Sequence, residues 1–470
     1  MNRLQLLPFQ KSVIGLAIDR LSPFYSLEIF FMSKVFIKTY GCQMNERDSE
    51  AVVCKLLESG HEITDNEESA DVILLNTCSV REKAEQKAIG KASRILHTSG
   101  VKKPTVGIIG CMAQNRGETL FEEIPGLRLV VGTQKFHQIP DLLENTLTQK
   151  RVIDLTEEEG SQNQIKHHIK NSPGPTAFVS IMQGCNMNCT FCIVPKTRGT
   201  ERYRPMEEIL VEIKKLAETG TKEVTLLGQI VNAYGRGQFP RIDKKSPFVQ
   251  LLEKINLIDG IERIRFTSPH PIAYGDDLIE AFSNIPKLGQ YAHLPMQSGS
   301  DRILKSMNRP YRIDKFLNIV DRLRTNVPGM RISTDVIVGF PGETLEDFEL
   351  TKNAFIEAGF EMGFIFKYSD RSGTPSVNLD GKVKKCELER RNQELLKILE
   401  NQSLLSNQKL ISRQVEVLIE SVSRKGNGQL MGRTSCFRKV NFIGDYSLIG
   451  KIRSVKITDA THSSLSGDLN

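Results

Sequence analysis

Residues 178–199 read FVSIMQGCNMNCTFCIVPKTRG and set Cys185, Cys189 and Cys192 in CxxxCxxC spacing at the end of an apolar, strand-like run. Three thiolates can hold three irons of a [4Fe-4S] cubane and leave the fourth iron open. An open iron can bind the amino and carboxylate groups of S-adenosylmethionine and pass one electron into its carbon-sulfur bond, while the protein supplies ligands, shielding and orientation. Zinc competes for CxxC pairs but wants four ligands, and His293 is the plausible fourth in this region. Inert buried cysteines are the other alternative.

Around this motif, apolar runs at 177–182, 223–227, 262–266, 291–294, 332–338 and 363–366 alternate with helical patterns, among them 205–220 and 344–359. Six such units over 176–383 predict an incomplete (βα)6 TIM-like barrel whose working face is the carboxyl end of its strands. Motifs fall at those ends: Gly228 and Gln229 after the second strand, Gln297 and Ser298 in HLPMQSGS, and Gly339, Gly342 and Glu343 in GFPGE before a helix capped by Thr344. Glycines there let a ligand approach the backbone, and an ordinary turn is the competing reading. Lys196, Arg198, Arg202, Arg204 and Arg309 put positive charge near this rim.

Upstream, over 33–150, strand-like runs at 35–37, 72–75, 106–109 and 127–131 alternate with helical patterns at 46–59, 81–98 and 115–122. That alternation predicts an open, doubly wound parallel sheet. Cys42, Cys78 and Cys111 each follow one of these strands, 36 and 33 residues apart. In a parallel sheet such positions share the carboxyl edge where ligands bind, so distant thiols converge there. A second three-cysteine cluster follows, whereas Cys54, in the helical run AVVCKLL, reads as core.

Residues 1–32 read as an extension outside the core, 151–175 as a polar linker in which His167 and His168 are solvated, and 384–410 as a helical connector. Residues 411–470 carry short strand-like segments fit for a small β-barrel. Across 413–461 Lys and Arg exceed Asp and Glu by nine to four, which locates the chain's net charge of +7. Arg424, Lys425, Arg433, Arg438, Lys439, Lys451, Arg453 and Lys456 are the candidate phosphate contacts, with Phe437 and Phe442 as stacking or core rings. A small basic barrel without a recognition helix suits single-stranded or structured RNA. Nine cysteines, two clusters of them in metal-type spacing, and no secretion signal point to a reducing cytoplasm, and no apolar run reaches membrane-spanning length.

GCQMNERDSE, LNTCSVREKAEQK and GCMAQ, with GCNMNCTFCIVPKTRGTERYRP, GRT at 432–434 and VNF at 440–442, resemble the methylthiotransferases of the radical S-adenosylmethionine superfamily from Met32 to about Thr461. Gln43 and Ile230 depart from the usual residues without removing a thiolate. The resemblance implies a doubly wound domain, a radical SAM barrel and a TRAM RNA-binding module. It implies two [4Fe-4S] clusters, one on Cys185, Cys189 and Cys192 and an auxiliary one on Cys42, Cys78 and Cys111. The substrate it implies is adenosine 37 of a tRNA anticodon loop carrying an N6-isopentenyl group. A 5'-deoxyadenosyl radical removes hydrogen from C2, which then receives a methylated sulfur. RNA contacts fall to Arg198, Arg433, Arg438, Lys439, Lys451 and Arg453, and an electron donor and a sulfur source are further partners. Threonylcarbamoyladenosine and a ribosomal-protein aspartate are the alternative substrates within the same family.

Overall fold

A computed structural model of the chain describes residues 32–80, 82–98, 103–164, 174–423 and 428–469. The expectations for residues 1–31, His167, His168, Arg424 and Lys425 lie outside the described residues.

The first unit is a six-stranded parallel sheet of β1 (Lys34–Tyr40), β2 (Glu62–Ile63), β3 (Val72–Thr77), β4 (Thr105–Ile109), β5 (Leu129–Val131) and β6 (Val152–Asp154) in the order β2-β1-β3-β4-β5-β6. Every residue of VILLNT in β3 is buried, as a strand covered on both faces requires. Helices α1 (Gln43–Glu58) and α5 (Ile139–Thr148) cover one face through Val52, Leu56, Ile139 and Leu143. Helices α2 (Glu82–His97), α3 (Cys111–Arg116) and α4 (Thr119–Glu123) cover the other through Ala88, Ala92, Met112 and Leu120. The sheet is doubly wound, as expected. Strand order reverses between β1 and β3, so a ligand crevice opens beyond their carboxyl ends, where Cys42 and Cys78 sit. The span expected to be linker begins instead with β6, and Glu158 within it pairs with Lys135 at 2.7 Å.

The second unit carries β7 (Thr176–Ser180), a short hairpin of β8 (Met182–Gln183) and β9 (Arg202–Tyr203) enclosing α6 (Val194–Arg198), then α7 (Met206–Glu218), β10 (Glu223–Leu227), α8 (Pro247–Asn256), β11 (Arg263–Phe266), α9 (Asp276–Asn284) and β12 (Tyr291–His293). It continues through α10 (Asp301–Ser306), α11 (Ile313–Asn326), β13 (Arg331–Val338), α12 (Leu345–Ala358) and β14 (Met362–Lys367). Two parallel sheets, β7-β10-β11 and β12-β13-β14, are joined by backbone bonds between Ile264 and the 287–289 segment. The result is a six-stranded barrel, open between β7 and β14. Thr344 caps α12 in a capping box with Asp347, and the helix stops at Gly359 in the left-handed region, φ 58°.

Helix α13 (Lys385–Gln408) buries Arg391, Asn392, Leu395, Leu399, Ser403 and Asn407, a stripe at helical spacing. It leads into a closed barrel of β15 (Gln414–Val422), β16 (Gln429–Thr434), β17 (Lys439–Ile443), β18 (Ile452–Ala460) and β19 (Leu465–Leu469). The fifth strand, SLSGDLN in sequence, is too polar to be read as one. This small barrel plugs the amino end of the large one. Arg263, Arg265 and Arg331 donate to the carbonyls of Arg433, Ser435 and Phe437 at 2.9–3.0 Å. Phe437 lies under the Arg265 guanidinium at 4.8 Å and against Tyr291 at 5.1 Å. Phe437 and Phe442 are therefore packing residues, the latter 2% exposed. Among the described residues no helix is long and apolar enough to cross a membrane.

Candidate active site

Cys42, Cys78 and Cys111 meet at the carboxyl edge of the first sheet. Cys42 precedes α1 as its cap, the Cys78 amide donates to the Tyr40 carbonyl at 2.9 Å, and Cys111 opens α3. Gly110 before Cys111 has φ 91°, and a Cβ there would lie 2.3 Å from Asn76 Oδ1. Only glycine permits that approach. Asn76 donates to the Asn45 carbonyl and to Ser49 Oγ at 2.9 Å each, so a buried amide network floors the three thiols. The hydrogen bond from Cys78, with the Asn45 amide and the Arg198 charge, pulls the Cys42 thiol down to about 6 against burial. Its bond to Cys42 and its own burial push Cys78 up, and burial pushes Cys111 up against the opposing pull of Arg198. Metal ligation takes thiolates, so a metal bound here would release the protons held on Cys78 and Cys111.

Cys185, Cys189 and Cys192 sit beyond β8 at the carboxyl end of the large barrel. Gly184 has φ 81°, and a Cβ there would fall 1.8 Å from the Thr200 carbonyl oxygen, so this turn accepts no side chain. Burial pushes Cys185 up to about 12 and Cys192 up to about 11. Arg309, half-buried, donates from Nη1 to Cys189 Sγ at 3.4 Å. His293 is elsewhere: its Nδ1 meets Ser333 Oγ at 2.7 Å and its Nε2 meets Asp335 at 3.3 Å, so it is no fourth zinc ligand. Among the described residues no three His, Cys, Asp or Glu side chains converge as ligands of a single metal ion. A cubane places each thiolate on a separate iron and needs no such convergence.

The trios are joined through Arg198. The Cys185 amide donates to the Gly199 carbonyl at 3.1 Å, and the preceding Arg198 crosses into the first unit to bind Asp48 at 3.2 and 2.5 Å. Burial pushes the Asp48 carboxyl up, and the two-pronged guanidinium opposes it. Thr133 Oγ1 donates to the Thr197 carbonyl at 2.6 Å, and Arg371, beyond β14, donates to the Val80 carbonyl at 2.9 Å. The first unit thus touches both edges of the open barrel. Arg198 is 3% exposed, which removes it from any surface that RNA reaches.

Polar atoms without partners gather at the carboxyl end of the barrel. Gln183 Oε1 and Nε2, Gln229 Oε1, His270 Nε2 and Arg309 Nη2 are all buried and unbonded. Buried polar groups are nearly always paired, and each orphan costs about 1–3 kcal/mol. These five atoms belong to four residues, Gln183 in β8, Gln229 and His270 beyond β10 and β11, and Arg309 beyond α10, and suit a polar ligand bearing amino, carboxylate and heterocycle groups. His270 Nδ1 accepts from the Ile272 amide at 3.2 Å and burial pulls its pKa down to about 3, leaving a neutral ring with an Nε2–H to donate. Of the expected cofactor residues, Gln229 is among these unpaired groups, whereas the Gln297 backbone, left-handed at φ 65°, bonds to Asp335 and Ile337 of β13. Gly228 presses on Met182, where a Cβ would be 2.5 Å from Cγ. Ser298 bonds to Thr351 at 3.1 Å, and Gly342 donates to the Gly381 carbonyl at 2.9 Å. Gly339 faces Leu388, and Glu343 is bound by the Gly339 amide and Arg391. The last four residues build the rim rather than meet a ligand.

Sequence reasoning missed the barrel lumen. Phe364 and Phe366 on β14 are 43% and 37% exposed and stacked at 6.2 Å. They pair in register with Asp335 and Ile337, on the face opposite the Ile365 side chain packed into the core. Residues across a ladder share a face, so both rings point into the lumen beside its open seam. In the small barrel Arg438 is buried and binds Glu361 at 3.0 Å and Asn407 at 2.9 Å, and Arg433 pairs with Glu420. Lys439, Lys451 and Arg453 are exposed, with Tyr446 at 57%.

Three family profiles match: "Uncharacterized protein family UPF0004" at 34–132, "Radical SAM superfamily" at 179–355 and "TRAM domain" at 408–469. The tRNA-2-methylthio-N(6)-dimethylallyladenosine synthase of Opitutus terrae is 49% identical over 93% of this chain and 98% of its own. That of Methylacidiphilum infernorum is 48% identical over 92% and 93%. Among solved structures, the radical S-adenosylmethionine methyltransferase TsrM from Kitasatospora setae superposes with a TM-score of 0.55 at 13% identity, over 73% of this chain and 77% of that one, a likeness of fold.

Proposed function

Because this chain belongs to the tRNA-2-methylthio-N(6)-dimethylallyladenosine synthase family, we propose that it adds a methylthio group to C2 of N6-isopentenyladenosine 37 in tRNA, with Cys185, Cys189 and Cys192 holding one [4Fe-4S] cluster and Cys42, Cys78 and Cys111 the other. The reading is carried by one observation: two cysteine trios from separate units lie at one interface, tied by Arg198 and Asp48. When bound, the clusters and S-adenosylmethionine supply the radical and the sulfur that an aromatic carbon, lacking an acidic proton or a leaving group, requires.

The chain's own residues supply the rest. Arg309 holds the Cys189 sulfur by a hydrogen bond, while Gln183, Gln229 and neutral His270 offer hydrogen bonds to S-adenosylmethionine. The first unit closes over the barrel and sheds water from the reaction space. Phe364 and Phe366 give the incoming base a stacking surface and the isopentenyl chain an apolar one. Asp335 beside them favours the uncharged isopentenyl over threonylcarbamoyladenosine, whose carboxylate it would repel. Exposed Lys439, Lys451 and Arg453 serve tRNA phosphates. The units run 33–150, extended by β6, then 176–383 and 411–470, and the free cysteines suit a reducing cytoplasm.

The test is a pair of variants in anaerobically reconstituted protein. Cys185→Ala abolishes 5'-deoxyadenosine formation, whereas Cys111→Ala retains some but yields no methylthio product. Undiminished methylthio-isopentenyladenosine from Cys111→Ala, by mass spectrometry of digested tRNA, contradicts the auxiliary site.

A further inference from the structure

A doubly wound sheet ordinarily covers each crossover with a helix, but the connection from β2 to β3 holds only a single turn, Glu67–Ser69. The face of β1 toward α2 is therefore left open, and alternate residues Phe36, Lys38 and Tyr40 form its floor. One side of α2, with Lys87, Gly90, Lys91 and Arg94, forms the wall of a cavity of about 500 Å³. Small-ligand pockets run about 300–1,000 Å³, so one or two nucleotides fit.

Four cations surround this groove against the single carboxylate of Glu67, which pairs with Lys91 at 2.6 Å. Among the described residues Lys38, Lys87 and Arg94 have no ion-pair partner. Like charges gathered in one concavity repel one another unless an anion enters. Gly90 deepens the groove: a Cβ there meets nothing within 4 Å, so no packing demands a glycine in mid-helix, where it is unfavourable. At the upper lip, the Tyr40 carbonyl accepts from the Cys78 amide at 2.9 Å, so the end of the groove lies one hydrogen bond from a member of the auxiliary trio.

We infer that this open face of β1 is a second RNA groove, in which Lys38, Lys87, Lys91 and Arg94 hold phosphates of the substrate tRNA and Phe36 and Tyr40 meet a base or ribose. The inference rests on the tRNA reading above. Cations framing two rings are how single-stranded nucleic acid is held without sequence choice, by charge along the backbone and stacking on aromatic faces. An acidic protein would leave the recessed rings unused.

The test is tRNA binding to full-length, cluster-loaded protein by fluorescence anisotropy across a potassium chloride series. Combined Lys38→Glu, Lys87→Glu and Arg94→Glu weakens binding about ten-fold or more and flattens the salt slope by about 0.9 per lost phosphate contact. Gly90→Met, which fills the groove without changing charge and favours the helix, weakens binding several-fold. If both variants bind tRNA as the parent does, the groove is not an RNA site, even if reduction by an acidic carrier protein slows. Methylthio product measured on the parent enzyme separates the outcomes: its absence overturns the tRNA reading, whereas its presence with unchanged variant binding overturns only the groove.

Discussion

Replacing Arg198 with Met should cost more stability than almost any other single change in the chain. Asp48 is 0% exposed and its carboxylate receives both prongs of the Arg198 guanidinium, itself 3% exposed. Removing the cation strands a buried carboxylate, a loss of about 3–5 kcal/mol, whereas replacing both members by apolar residues is often near neutral. The double variant Arg198→Met, Asp48→Leu should therefore recover most of the loss and give a large coupling energy. A chain of several units does not unfold in one step, so amide exchange in α1 and α6 is read beside the first urea transition of the apoprotein. Iron content supplies a second readout, because Arg198 offsets charge at Cys111 and Cys42 but makes no contact with Cys189. The auxiliary iron should fall while the central iron stays. A single-variant loss under about 1 kcal/mol, or additive losses in the cycle, refutes the argument that this pair closes the site.

Phe364→Ala or Phe366→Ala should weaken isopentenyl-tRNA about ten-fold, the lower part of the about 1–3 kcal/mol expected for a lost stacking contact, and narrow its advantage over unmodified tRNA, as competition binding reads. Arg438→Ala should lower stability by about 1–3 kcal/mol, because Asn407 loses its buried partner while Glu361, part exposed, keeps Arg331 at 3.8 Å, whereas Lys439→Ala and Lys451→Ala stay within about 0.5 kcal/mol and each reduce the tRNA salt slope by about 1. His270, pulled down to about 3 in the folded protein, takes up a proton in the unfolded chain near its usual 6.5, so the unfolded state binds the extra proton between those values. Stability therefore falls as pH drops below about 6.5, by about 2 kcal/mol at pH 5, and urea midpoints of His270→Asn should lose that part of the slope.

What the sequence disclosed and what it hid divide along physical lines. Cys42, Cys78 and Cys111 were legible because one strand-helix unit separates each pair and a parallel sheet aligns strand ends. Strand β10 was legible because it is buried on both faces and carries the run VTLL, whereas β14 is partly exposed and was legible only from its apolar composition. Arg198 and Arg438 were misread as RNA contacts because a cation's sequence position says nothing of its burial. Their partners, Asp48 and Glu361, lie 150 and 77 residues away. Phe364 and Phe366 were seen only as strand residues; the open side of the barrel turns such rings from core into surface. The strands β2 and β6 are two and three residues long, too short to show a period.

The position of the small barrel fixes how RNA can approach. Its loop 433–437 bonds to Arg263 and Arg331 at the amino ends of β11 and β13, whereas both cysteine trios lie beyond carboxyl ends. A strand of about six residues spans roughly 20 Å, so phosphates on Lys439 or Lys451 and a base at the clusters stand at least that far apart. RNA cannot pass through the lumen, because Phe437 and the arginines close its amino end. On the proposed function, an RNA held by the small barrel would therefore run along the outside of the large barrel to reach the carboxyl ends of its strands. The seam between β7 and β14 is where Phe364 and Phe366 are bare, and where Arg371 and Arg198 bring the first unit down over both edges. Two further strands at that seam would cover Phe364 and Phe366 and displace the first unit from the edges where Thr197 and Arg371 now meet it.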